Sequence, residues 1–123
     1  MKYLKEDGVI IIHDCNPPNE TIGFPAKSIK HVGSLNLPGW TGLWTGDVWK
    51  TIVYLRSIHR DLNVFVLNCD MGVAIITKRK PENMLEYTLE DIENLSYKDL
   101  ERSRERLLNL KNPQYFKEFI KSL

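Results

Sequence analysis

The chain reads as an α/β domain built on a small mixed sheet. Three observations predict this: an uninterrupted β-branched run at Val9-Ile-Ile-Ile12, two more apolar runs at Leu62–Leu67 and Val73–Thr77, and apolar residues at helical spacing between and after them. A short β-branched run without alternation suits a strand buried on both faces. Two such runs joined only by Asn68-Cys-Asp-Met-Gly72 suit an antiparallel hairpin. At 123 residues there is chain for one domain and one core.

Residues 1–7 look like the last turn of a helix, with Tyr3 and Leu4 as its apolar contacts and Gly8 closing it. The strand Val9–Ile12 follows at once. His13 and Asp14 stand where its apolar run stops, and Cys15-Asn16-Pro17-Pro18 forbids a simple continuation. Ligands gather at the carboxyl ends of strands in open α/β sheets, so the polar dipeptide is well placed for chemistry. Asp14 and Asn16 serve equally well as residues that hydrogen-bond a turn.

Residues 15–45 are broken by Pro17, Pro18, Pro25 and Pro38 and by several glycines. They predict a long loop, with a short helix near Ala26–His31. Loops of this length in compact domains are usually functional lids or else disordered. Trp40 and Trp44 favour an ordered one, either as a lid or as pins to the core.

Thr45 is a candidate cap for the next helix, Asp47 suits its positive end, and Val48, Trp49, Ile52, Val53 and Leu55 recur at helical spacing as far as Ile58. Trp49 reads as core, and Lys50, Arg56 and Arg60 as the solvated face. Lys78-Arg-Lys-Pro81 reads as a solvated exit from the sheet.

From Thr88 onward the chain is expected to be helical. Thr88-x-x-Asp91 and Ser96-x-x-Asp99 are N-terminal capping patterns. Leu100, Leu107, Leu108 and Leu110 form the apolar stripe, and Arg102, Arg104 and Arg106 alternate with Glu101 and Glu105 as a salt-bridged surface. Asn112-Pro113 opens a last short helix, with Tyr115, Phe116, Phe119 and Ile120 facing inward.

The totals exclude several function classes. A net charge of +1 gives no argument for nucleic acid or an anionic membrane. No apolar run approaches spanning length, and Met1–Asp7 has no signal-peptide core. Cys15 and Cys69 lack metal-type spacing and predict reduced thiols in a cytoplasmic protein, with no zinc site.

Taken together, Gly8-Val-Ile-Ile-Ile-His-Asp-Cys-Asn-Pro-Pro18, Trp40-Thr-Gly followed by Gly46-Asp-Val-Trp-Lys50, and Asn68-Cys-Asp-Met-Gly-Val-Ala-Ile-Ile76 resemble the C-terminal half of class I S-adenosylmethionine-dependent methyltransferases. Within that family the chain looks like the small bacterial methyltransferases often linked to sugar or polysaccharide gene clusters. The resemblance runs from the first residue to about Arg79.

It implies a partial Rossmann-like fold in which Val9–Ile12 is the family's fifth strand, Asp47–His59 the following helix, and the hairpin its sixth and seventh strands. The seventh strand of that family runs antiparallel between the other two, so the expected sheet has three strands in the order fifth, seventh, sixth. Residues 1–80 would form the methyltransferase-like part and 81–123 a helical tail.

The resemblance also implies roles. His13, whose ordinary pKa lies near neutrality, could deprotonate a substrate hydroxyl, with Asp14 beside it. Asn16, Trp40, Trp44 and Asp47 would contact the substrate. The family's cofactor is S-adenosylmethionine, held by a glycine-rich turn after the first strand and an acidic residue after the second. No such turn occurs in these residues, so the chain alone is expected neither to bind the cofactor nor to be active.

Metal-dependent members hold a cation with an Asp-Asn pair at the end of the fifth strand. Here Cys15 stands in the asparagine position, and a thiol is a poor ligand for magnesium or calcium. No metal is expected. The fourth strand of the family would precede this chain, which leaves the Val9–Ile12 edge to a separate N-terminal half or to a second copy. The alternatives to an acceptor-side half are a non-catalytic dimeric remnant and a small binding module using the Trp40–Trp44 loop.

Overall fold

A computed structural model describes residues 5–123. The expected helix tail falls mostly outside them; residues 5–8 form a turn closed by the Gly8 amide on the Lys5 carbonyl at 2.9 Å. The described chain is α/β, with a four-stranded mixed open sheet and five helices.

The first strand, β1, is Val9–His13. A loop follows, interrupted by α1 (Ile29–Gly33), which starts three residues later than the sequence predicts because Ser28 caps it by accepting from the His31 amide. The helix α2 (Trp49–Ile58) leads to β2 (Asn63–Leu67), and a tight turn to β3 (Val73–Thr77).

Then come α3 (Leu89–Glu93) and α4 (Tyr97–Leu108), both opened by complete capping boxes, Thr88 with Asp91 and Ser96 with Asp99. The reciprocal bonds hold both carboxyl groups below the usual carboxylate range. That part of the helices' stability is present above the ordinary carboxyl pKa and lost as the pH falls through the lowered ones.

The chain turns at Asn109, in the left-handed conformation, lays two residues as β4 (Leu110–Lys111), and ends in α5 (Tyr115–Lys121).

The sheet order is β1-β3-β2-β4. Strand β3 runs antiparallel to both neighbours, pairing Ile11 with Ile75 on one side and Phe65 with Ile75 on the other. Strands β1 and β2 are therefore mutually parallel. The expected count of three strands is corrected by β4, which pairs parallel with β2 at Val66–Leu110 and Leu67–Lys111. Two residues are too few to carry any alternation, so nothing in the sequence announces this strand.

One face of the sheet carries the main core. Val64, Val66, Ala74 and Ile76 pack with Trp49, Ile52 and Val53 of α2 and with Leu100, Leu107 and Leu108 of α4. On the other face Phe65, Leu67 and Ile75 pack with Phe119 of α5, and the Phe65 ring meets Tyr115 and Phe119 edge-on at 5.1 and 4.9 Å. This second cluster ends at Ile75. Strand β1 is consequently not buried on both faces: Ile10 and Ile12 join the main core, while Ile11 is 54% exposed and Val9 36%.

Four side chains depart from the sequence reading. Thr45 does not cap α2; its buried hydroxyl meets the Ile22 carbonyl, and Val48 opens the helix with no side-chain bond. Ile120 points outward, since a helix as short as α5 has one inward stripe, taken by Tyr115, Phe116 and Phe119. Arg56 is 4% exposed and not solvated. Its guanidinium donates to the Arg106 and Leu107 carbonyls at the end of α4 and to Asn83 Oδ1, and burial pulls its pKa down to about 10, so it stays charged at neutral pH. Arg104 leaves the expected salt-bridged surface for the turn after β1. No helix among the described residues is long and apolar enough to cross a membrane.

Candidate functional site

The carboxyl ends of β1 and β2 lie on the same edge of the sheet, because the two strands are parallel with β3 between them. Beyond β1 the chain turns at Asp14, whose φ is +64°. The turn then pairs with the β2–β3 hairpin: Cys15 donates to the Gly72 carbonyl at 3.3 Å and Asn16 to the Met71 carbonyl at 2.7 Å.

This approach is why residue 72 is glycine. A Cβ there would lie 2.5 Å from both the Asn16 Cβ and the Asn16 nitrogen, and φ is +92°. Asp70 and Met71 also have positive φ, +45° and +62°. Aspartate tolerates that region; methionine does so only where its surroundings hold it there.

The second support comes from α4. Its backbone leaves helical geometry at Ser103, with φ −135°, one residue before Arg104. Arg104 then reaches the turn after β1, donating to Asn16 Oδ1, to the Pro17 carbonyl at 2.7 Å and to the Tyr97 hydroxyl at 3.0 Å. Its guanidinium also lies 5.7 Å from the centre of the Tyr97 ring. An open cleft of about 350 Å³ results, lined by Asn16, Asn68, Asp70, Met71, Gly72 and Arg104 among others.

Of the residues the sequence singles out, only Asn16 lines this cleft. His13 and Asp14 are exposed, and His13 belongs to the Val9–Ile11 face of β1, opposite the face that carries α2 and α4. The tryptophans secure the loop to itself. Trp44 donates to the Phe24 carbonyl at 2.7 Å, and the Trp40 ring lies over Gly33. Asp47 lines a different cleft of about 390 Å³, with Glu20, Phe24, Trp49, Lys50 and Tyr97.

Cys15 is buried, with its thiol 3.4 Å from the Ile12 and His13 carbonyls, and burial pushes its pKa up to about 12. It is therefore a protonated, inward-facing packing residue at neutral pH.

No family model, curated protein or solved structure matches this chain. Sequence reasoning missed Arg104, Asn68 and Asp70. Asp70 had a signal, since it sits in the turn next to a strand's carboxyl end; Arg104 had none, standing 88 positions from the asparagine it grips.

Proposed function

We propose that this chain is the acceptor-side half of a class I methyltransferase. The observation that supports it is topological: an antiparallel strand inserted between two parallel ones, in the order β1-β3-β2, with a cleft at the carboxyl ends of the parallel pair. The described residues do not fit S-adenosylmethionine themselves. Gly72, the glycine at this edge, has its space filled by Asn16, and Gly39 and Gly42, with open surroundings, lie in the loop and not in a turn from strand to helix. A second polypeptide segment would supply the cofactor side against β1, and the free thiols of Cys15 and Cys69 suit a reducing, cytoplasmic setting.

In this reading the acceptor lies along the cleft. The exposed His13 and Asp14 stand at the junction with the cofactor-bearing half, where His13 accepts the proton that the acceptor hydroxyl loses.

The test is a chimera in which residues 5–123 follow the glycine-turn-bearing half of a class I methyltransferase. The folded chimera should bind S-adenosylmethionine with a Kd below ~100 μM, and the isolated chain should not. A folded chimera without binding, or tight binding by the isolated chain, overturns the reading. In an active chimera His13→Ala and Asp14→Asn should lower methyl transfer while leaving stability unchanged, since both side chains are exposed.

A second copy is the other expected occupant of the β1 edge. Among the described residues β1 is the last strand on that side, and the exposed Val9 and Ile11 flank its edge. Such edges recruit strands, and two-fold antiparallel pairing of Val9–Ile12 makes one continuous sheet. Sedimentation equilibrium on the isolated chain should give a dimer at high micromolar concentration; a monomer there rules this pairing out.

A further inference from the structure

The cleft at the sheet's carboxyl edge contains a cation whose charge is not neutralised. Arg104 has five N–H donors, and Asn16, Pro17 and Tyr97 engage three, all through neutral oxygens. Among the described residues it makes no ion pair, whereas Arg102 in the same helix pairs with Asp99 at 3.6 Å and Lys111 with Glu82 at 3.2 Å.

The three neutral bonds position the guanidinium without compensating its charge. Arg104 follows the kink at Ser103, lines the cleft, and has its guanidinium beside the ring of Tyr97. A pre-positioned guanidinium with unspent donors matches the planar, two-oxygen edge of a carboxylate or a phosphate. Asn16 and Asn68 add amide groups on the same wall, and their mutual contact at 3.5 Å is weak enough to be exchanged for a ligand. The one opposing charge in the lining is Asp70, which is exposed on the hairpin turn.

We infer that this cleft is an anion site, in which Arg104 binds a carboxylate or phosphate group of a small ligand, with the two asparagines completing the contact. Assigning that group to the methyl acceptor rests on the methyltransferase reading; the anion binding does not. Asp70 limits the affinity and, as an acceptor-only group, favours ligands that also present a hydroxyl or an amine on that side.

The experiment is a titration of the full chain, labelled with nitrogen-15, with inorganic phosphate and separately with acetate, at fixed pH and ionic strength. Saturable shifts are expected at the Cys69–Gly72 amides and at Arg104 Nε–H. The stronger of the two responses identifies phosphate or carboxylate as the preferred group. Arg104→Lys, which keeps the charge and loses the fork, should weaken binding about tenfold or more, the worth of one charge-assisted hydrogen bond. Asp70→Asn touches none of the Arg104 contacts and should tighten binding.

Absence of saturable shifts in the wild type up to tens of millimolar of both anions overturns the inference. So do unchanged shifts in a folded Arg104→Lys variant, or Asp70→Asn binding more weakly than wild type. If Arg104→Lys does not fold, the wild-type Nε–H response and the Asp70→Asn comparison decide. A chimera that binds S-adenosylmethionine while the chain ignores both anions would sink the anion site alone. Saturable anion binding beside a folded chimera that does not bind S-adenosylmethionine would sink the methyltransferase reading alone.

Discussion

Replacing Gly72 with alanine should destabilise the fold by about 3 kcal/mol or more, from two additive causes. A Cβ at φ +92° is in a conformation that L-residues rarely adopt, worth roughly 1–2 kcal/mol. The new methyl would also lie 2.5 Å from the Asn16 backbone nitrogen, a rigid neighbour and not the tip of a flexible side chain, and forced overpacking of that kind costs about 1–3 kcal/mol. Domains of this size are stable by roughly 5–15 kcal/mol in all, so a large fraction of the margin is at stake. The turn after β1 must move away from the hairpin, and the cleft opens with it.

Gly39→Ala is the matching control. Its φ is +71°, but nothing lies within 4 Å of the added Cβ, so only the conformational part applies. Urea unfolding of the two variants separates the effects. A Gly72→Ala loss no larger than that of Gly39→Ala would show that the close approach to Asn16 carries no weight.

Arg56→Ala should cost about 3 kcal/mol, because removing the buried guanidinium leaves three neutral acceptors without their donor. The carbonyls of Arg106 and Leu107 end α4 and have no further helical donor; the Arg56 guanidinium serves them from within the core and also binds Asn83. Arg56→Met distinguishes bonding from packing, since it restores most of the stem and none of the donors. Both variants should unfold at similarly reduced denaturant concentrations. Wild-type stability of Arg56→Met would mean that the stem's packing, and not its hydrogen bonds, holds α2 to α4.

The largest elements were legible because their causes are local. A β-branched run at Val9–Ile12, paired apolar runs around Asn68–Gly72, helical spacing through Trp49–Leu55 and the Ser/Thr-x-x-Asp pairs at 88 and 96 each determine a backbone preference within a few residues, and the chain adopts each of them. Trp49 as core followed from its place in that spacing, and it is 1% exposed.

The rest depended on neighbours that the sequence does not reveal. Whether Ile11 is covered depends on how far α5 reaches across the sheet, and α5 stops at Ile75. Arg56 and Arg104 stand in charged or helical surroundings identical in pattern to solvated arginines, yet one is enclosed between helices and the other drawn to a turn 88 positions away. By itself the sequence determined the three longer strands, the main helices with the caps of α3 and α4, and the position of a polar turn at the end of β1. Only the tertiary structure decided which side chains meet at that turn, because a side chain's partner is set by the packing of distant elements, and Asn16, Gly72 and Arg104 come together only when β1, the hairpin and α4 are in place.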